Sequence, residues 1–224
     1  MIEQYAIYDN FLENPFELIS SLRSQKYYFQ NIDNPEKVFE NNIPLEINYG
    51  DQSLLKDPRF DSPYWKGYRT ADLQDIDINS YDLIMSKIME KLFGTFTLAQ
   101  IEFDAETHYH LMTKDFIFNE KWFHSDVSKF LAGVLYLAEN PAPKSGTVLV
   151  INGEQISIEN KFNRLIIYNA GLVHSAEGCF GDSIENCRAT FVFFIRNLSL
   201  YNDIRYIDPQ YSMPNHQYNQ IGGS

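Results

Sequence analysis

The stretch Thr147-Val148-Leu149-Val150-Ile151-Asn152-Gly153-Glu154-Gln155-Ile156-Ser157-Ile158 decides the fold. Asn-Gly is a residue pair that accepts the positive φ angles of a tight hairpin turn, and β-branched residues crowd both flanks, Val148–Ile151 and Ile156–Ile158. Outward from this hairpin the same texture recurs at intervals of roughly ten residues, in short runs of β-branched and aromatic residues. Leu98–Phe103, Thr107–Met112, Lys121–His124 and Phe130–Leu137 precede Thr147–Ile151, and Arg164–Tyr168, His174–Glu177 and Ala189–Arg196 follow it. Turn signals at Asn140-Pro141-Ala142-Pro143 and Asn169-Ala170-Gly171 separate them. About eight short strands with no long helix between them predict a β-sandwich or jelly roll.

Before Thr95 the pattern changes. Asn14, Pro15 and Glu17 are start signals for a helix whose apolar face is Leu18, Ile19 and Leu22. A loop-rich stretch from Asn31 to Asn79 is broken by Pro35, Pro44, Pro58 and Pro63, and Gly67-Tyr68-Arg69-Thr70 within it reads as a surface turn. A second helix is expected over Ser80–Phe93, with Ile84, Ile88 and Leu92 on one stripe and Gly94 as its stop. The fold class is therefore mainly β with flanking helices (α+β). We expect one domain over residues 1–198, with a helical buttress (1–94) beside a jelly-roll core (95–198), and a tail over 199–224.

Composition narrows the function. At 224 residues, 44% hydrophobic and 21% charged, the chain is typical of a globular protein, which excludes disordered and collagen-like classes. The net charge of −12 opposes non-specific nucleic-acid binding and mildly favours a neutral or basic partner such as a peptide or an amino-acid derivative. Met1–Tyr5 lacks the basic and apolar regions of a secretory signal, and no run approaches the length of a membrane span, so a cytoplasmic location is expected. Cys179 and Cys187 could bridge a short loop, but free thiols are the simpler expectation.

Of the five histidines, His124 and His174 stand in contexts that matter. His124-Ser125-Asp126 puts an imidazole and a carboxylate on one face of an extended chain, and His174 opens another predicted strand. Two imidazoles and one carboxylate are the donor set of a non-haem Fe(II) facial triad, which leaves half of the metal open. Arg188 follows His174 by 14 residues and heads the most apolar run of the chain, where a guanidinium needs an anionic partner. Thr190 points to the same face as Arg188.

Together, His124-x-Asp126, His174 and Arg188-x-Thr190 resemble the signature of the Fe(II)/2-oxoglutarate-dependent dioxygenases. Gly133-Val134-Leu135-Tyr136-Leu137, Ser145-Gly146-Thr147, Asn163-Arg164-Leu165 and the opening Tyr8–Pro15 are similar to the prolyl-4-hydroxylase-like branch. The resemblance implies a double-stranded β-helix (a cupin-like jelly roll), with Fe(II) on His124, Asp126 and His174 as the catalytic centre. It further implies that Arg188, helped by Thr190 and Tyr136, takes the distal carboxylate of 2-oxoglutarate. O2 is then the second co-substrate, and an unactivated C–H of a peptide, protein or small molecule is hydroxylated with release of succinate and CO2. Asp126 argues against a halogenase, in which a small residue replaces the acid. The longer Cys179–Cys187 loop departs from prolyl hydroxylases proper.

Two other readings remain open on the residues alone. A cupin-like metalloenzyme without a keto acid would use His108, His110 and His174 and give Arg188 no role. A non-catalytic jelly-roll binding module would need none of the triad. Outside the cupin-like reading, His108 and His110 are expected to be strand residues near the pocket mouth.

Overall fold

The computed structural model describes residues 4–29, 67–94, 101–114 and 123–200. Among them lie the strands β1 (Tyr5–Tyr8), β2 (Tyr28–Phe29), β3 (Tyr68–Arg69), β4 (Ile101–Met112), β5 (Leu131–Tyr136), β6 (Thr147–Ile151), β7 (Glu154–Ile158), β8 (Leu165–Asn169), β9 (Val173–Ala176) and β10 (Arg188–Leu200), with helices α1 (Phe16–Ser24), α2 (Leu73–Ile76) and α3 (Ile78–Phe93). The strands form a seven-stranded sheet in the order β1-β8-β5-β10-β4-β3-β2 and a three-stranded sheet in the order β7-β6-β9, antiparallel throughout. The predicted hairpin is present: Asn152 and Gly153 both take positive φ, 53° and 84°, and Ile151 pairs with Glu154.

Alternation along each strand builds two cores. One face of the large sheet sends Leu131, Leu135, Leu165, Ile167, Phe191, Phe193 and Ile195 against α1 and α3. Its other face sends Ala132, Val134, Tyr136, Ile166, Tyr168 and Val192 toward Leu149 and Ile158 of the small sheet. The second core is the jelly-roll interior. The helices meet the first with buried residues at helical spacing, Leu18, Ile19 and Leu22 on α1 and Ile84, Met85, Ile88, Met89 and Leu92 on α3. The Asp77 side chain caps α3 by accepting from the Ser80 N–H at 3.2 Å, and the Ser21 hydroxyl donates to the same carboxylate, tying α1 to it.

Several elements differ from the sequence reading. Leu98–Phe103 and Thr107–Met112 belong to one strand over the described part, β4, because the polar residues between them stay paired. Asp104 accepts from Arg196 at 2.7 Å, and Glu106 meets His108 and Lys129. Gly67–Thr70 is not a surface turn: β3 pairs with β4, and Tyr68 and Thr70 are buried. Gly67, at φ 107°, lies so near the Leu111 carbonyl and the His110 ring that no side chain fits. Tyr5–Tyr8 is a strand missed in the sequence, and β10 runs into the expected tail as far as Leu200. α1 starts at Phe16 behind Pro15, while the Asn14 side chain bonds to Glu17 rather than capping the backbone; α3 starts at Ile78. The four loop prolines, Lys121, Trp122, His216 and residues 201–224 lie outside the described residues. Cys179 and Cys187 form no disulfide. Among the described residues no helix is long and apolar enough to cross a membrane.

Gly133 faces Phe193 across β5 and β10, and a Cβ there would fall on the Phe193 ring and 2.6 Å from the Ile166 carbonyl. Gly133→Ala is expected to destabilise the fold by about 1–3 kcal/mol through overpacking. A lower urea midpoint at unchanged slope would register it.

Candidate metal centre

The two histidines are brought together by the backbone. His124 and His174 are partners in an isolated antiparallel bridge, with N–H to O distances of 3.0 and 2.8 Å in the two directions, and β9 is held in turn by β6, with His174 opposite Leu149. Side chains of directly paired residues leave on the same side, and the two rings lie with centroids 4.3 Å apart. Asp126, two residues beyond His124, is anchored by its N–H to the Ala170 carbonyl at 2.8 Å. One ligand atom from each of His124, Asp126 and His174 lies within 4.8 Å of the others.

The protonation chemistry suits a cation. His174 Nδ1 is 2.9 Å from the Leu172 carbonyl, which can only accept, so Nδ1 carries the proton and Nε2 keeps its lone pair. Burial pushes the His174 pKa down, only partly offset by that hydrogen bond and by the Asp126 charge, so the neutral ring is favoured. Its Nε2 faces Asp126 Oδ2 at 3.4 Å. That oxygen is buried and makes no hydrogen bond among the described residues. Two electron-rich atoms turned toward each other in a buried site are stabilised by a shared metal ion, and the donor set fits Fe(II).

Arg188 opens β10 on the interior face and is 3% exposed. Its Nε donates to the Ser145 carbonyl at 2.8 Å and Nη2 to the Gly146 carbonyl at 3.3 Å, while Nη1 meets the Met112 sulfur at 3.6 Å. Among the described residues no carboxylate lies within ion-pair distance of it. A guanidinium has five N–H donors, and these contacts leave part of the Nη1/Nη2 edge for a carboxylate. Burial lowers its pKa, opposed mainly by Tyr136. The Tyr136 ring is 5.7 Å from the guanidinium and its hydroxyl donates to Thr147 Oγ1 at 2.7 Å. The Thr190 hydroxyl donates to the His110 carbonyl at 3.2 Å. Arg69, His110, Thr190 and Tyr136 are successive cross-strand partners over β3, β4, β10 and β5, one row of the interior face. The Gly146 carbonyl that accepts from Arg188 lies three residues ahead of Leu149, the β6 partner of His174, about 10 Å along the chain.

His108 and His110 are buried on β4, opposite Val192 and Thr190 of β10. His108 Nδ1 meets the Thr70 carbonyl at 3.0 Å and Nε2 meets Glu106 at 3.1 Å, so both ring nitrogens are already engaged by oxygen atoms of the fold. The alternative ligand set of His108, His110 and His174 is not assembled. Sequence reading also missed neighbours of the centre. The Tyr168 ring packs at a tilt against His174 with centroids 4.9 Å apart, Lys129 and Glu106 pair at 3.0 Å, and Arg69 sits over Phe194. Only the odd placement of Glu106 in an otherwise strand-forming run signals one of them.

No protein-family model matches the sequence and no curated protein matches it significantly. Solved structures match in fold. A prolyl hydroxylase from Trichoplax adhaerens, in complex with a peptide fragment of the hypoxia inducible factor oxygen degradation domain, has a TM-score of 0.54 at 11% identity, covering 86% of this chain and 83% of its own. The non-heme alpha-ketoglutarate-dependent epimerase SnoN of nogalamycin biosynthesis has a TM-score of 0.51 at 13% identity, covering 88% of this chain and 80% of its own. The SnoN complex with Fe3+, alpha ketoglutarate and nogalamycin RO gives the same score, covering 88% and 81%. The fold is the double-stranded β-helix. At such identities the likeness is one of architecture, and residue roles rest on the geometry above.

Asp126→Ala and His174→Ala are expected to weaken binding of Co(II) to the apo-protein by more than about 100-fold, beyond the effect of losing an outer partner, whereas His108→Gln retains binding. Visible d–d absorption measures this directly. A second outcome concerns acid. Burial would raise the Glu106 carboxyl, but the His108 hydrogen bond and charge, with Lys129, hold it down at about 2 against a normal 4.5. A carboxyl depressed in the folded state contributes stability that is complete above about pH 4.5 and is lost as pH falls toward 2. Urea midpoints should decline over that window in the wild type, and Glu106→Gln should remove this component.

Proposed function

We propose that the protein is an Fe(II)- and 2-oxoglutarate-dependent dioxygenase that hydroxylates an unactivated C–H of a peptide or small-molecule substrate. The observation that carries this reading is Arg188, a buried guanidinium without a carboxylate among the described residues, bonded to the Ser145 and Gly146 carbonyls just ahead of β6, the strand that pairs with His174. A structural arginine so placed would be costly unless an anion arrives to meet it. A keto acid with a distal carboxylate is the ligand that would use both the metal and the fork. The fold's likeness to SnoN in complex with Fe3+ and alpha ketoglutarate, and to a prolyl hydroxylase carrying a peptide, supports the same chemistry and both substrate classes.

In this reading His124, Asp126 and His174 would hold the iron. Arg188 would receive the distal carboxylate in bidentate fashion, and Thr190 and Tyr136, on the same face, would turn their hydroxyls to it from the His110 carbonyl and Thr147 Oγ1. The bound iron, with 2-oxoglutarate and O2, supplies the oxidising power for C–H hydroxylation, releasing succinate and CO2. Val134, Val192, Leu149 and Ile166 line the interior and keep water from the reacting atoms. The cupin-like reading has no support from His108, whose nitrogens are both engaged.

Anaerobic titration of the apo-protein with Fe(II), then 2-oxoglutarate, is expected to produce a weak visible charge-transfer band that requires both. His124→Ala should abolish it, and Arg188→Lys should raise the 2-oxoglutarate concentration needed by about 10- to 100-fold, the worth of a charge-assisted bidentate pair. A folded protein that binds iron yet shows no band would overturn the keto-acid role. A folded protein that binds no iron would leave a jelly-roll binding module.

A further inference from the structure

Asp126 differs from the other two members of the triad in how it is held. His124 and His174 fix each other through two backbone hydrogen bonds, and β9 is a paired strand. Asp126 lies beyond the bridge and enters a turn in which the Lys129 N–H donates to its carbonyl at 2.8 Å. Its side-chain Oδ2 has no hydrogen bond among the described residues to set its direction. Beyond its backbone bonds with Ala170, the Asp126 N–H to the Ala170 carbonyl at 2.8 Å and the Ala170 N–H to the Phe130 carbonyl at 3.3 Å, the turn is fastened to the large sheet at two points. The Phe130 N–H donates to the Ile195 carbonyl at 2.7 Å, and Lys129 Nζ donates to Glu106 Oε2 at 3.0 Å.

The second fastening is unusual in its cost. Glu106 sits opposite Phe194 in the middle of a sheet and is 8% exposed, where an apolar residue of similar size would be cheaper than a carboxylate. Both of its oxygens are used, Oε2 by Lys129 and Oε1 by His108 Nε2 at 3.1 Å. His108 is immobilised in turn, with Nδ1 on the Thr70 carbonyl at 3.0 Å. A chain of polar contacts thus runs from β3 through β4 to the turn that presents Asp126.

We propose that Glu106 is a positioning residue for the metal ligand Asp126, acting through Lys129: their ion pair sets the Asp126–Lys129 turn so that the carboxylate meets His124 and His174. The inference rests on the reading of those three residues as metal ligands. The Asp126 carboxylate itself is not touched by the pair. Loss of the pair therefore loosens the ligand without removing it, and the effect belongs to metal affinity before it belongs to turnover.

The test uses the full chain without metal, titrated with Co(II) alone and followed by d–d absorption, with the urea midpoint of each apo-protein measured in parallel. Lys129→Met is expected to weaken Co(II) binding by about 10- to 100-fold, the range for losing an outer partner of a metal ligand. Lys129→Arg should restore most of the affinity, Glu106→Gln should act like Lys129→Met, and the double variant should be no weaker than either single one. Unchanged Co(II) affinity in a folded Lys129→Met, or losses that simply add in the double variant, would reduce the pair to a structural salt bridge. Lys129 is partly exposed, so its variant answers the question even if Glu106→Gln fails to fold. Asp126→Ala serves as the reference. If it too binds Co(II) like the wild type, the triad reading has failed and the positioning role falls with it.

Discussion

The structure depends on β10 being paired along both edges. Twelve of its thirteen residues pair with β4 on one side, across a register shift between Ile195 and Asn197, and Thr190–Ile195 pair with β5 on the other. A strand with both edges satisfied has no freedom to slip, because a one-residue shift would turn every side chain to the opposite face. That constraint sends Phe191, Phe193 and Ile195 to the helices, and Arg188, Thr190, Val192 and Phe194 to the interior. The same register aligns Tyr136 and His110 with Thr190 on its two sides. One strand thereby sets the helical buttress, the interior wall and the placement of the guanidinium.

The two faces of the large sheet carry opposite chemistry. The helix-facing side is almost wholly apolar and close-packed, with Phe193 lying over Gly133. The interior face buries Arg188, His108, His110, Glu106 and Thr190 among its aliphatic residues. Polar groups in a core are expensive unless they meet partners, and where fold stability alone is at stake aliphatic side chains suffice. The concentration of such groups on one face marks where this protein spends stability on chemistry. Burial also sets their protonation, favouring a neutral His174 while Lys129 and His108 keep Glu106 ionised.

Much of this was legible from the residues. The Asn152-Gly153 hairpin, the runs that became β5, β8, β9 and β10, and the apolar stripes of α1 and α3 follow from period and turn chemistry alone. His124, Asp126, His174 and Arg188 stood out because ligand-type residues with one buried cation are a rare combination. The errors have a common cause. Asp104 and Glu106 looked like a break in β4 because their partners, Arg196, Lys129 and His108, are supplied by tertiary contact or by a bonded neighbour on the same face. Tyr5–Tyr8 and Tyr68–Arg69 are too short to show a period, and they are strands only because β8 and β4 offer open edges to pair with.

Local sequence determined which segments extend, where they turn, and which side chains could serve as ligands, since backbone propensity and side-chain chemistry act over a few residues. Tertiary structure decided what met what. The bridge between His124 and His174, fifty residues apart in the chain, exists only when β9 has docked on β6. The exclusion of His108 from metal ligation depends on a carbonyl at Thr70 and a carboxylate at Glu106 both reaching its ring. Hydrogen bonds are short-ranged and directional, so the identity of a partner distant in sequence is not written in the residue that needs it.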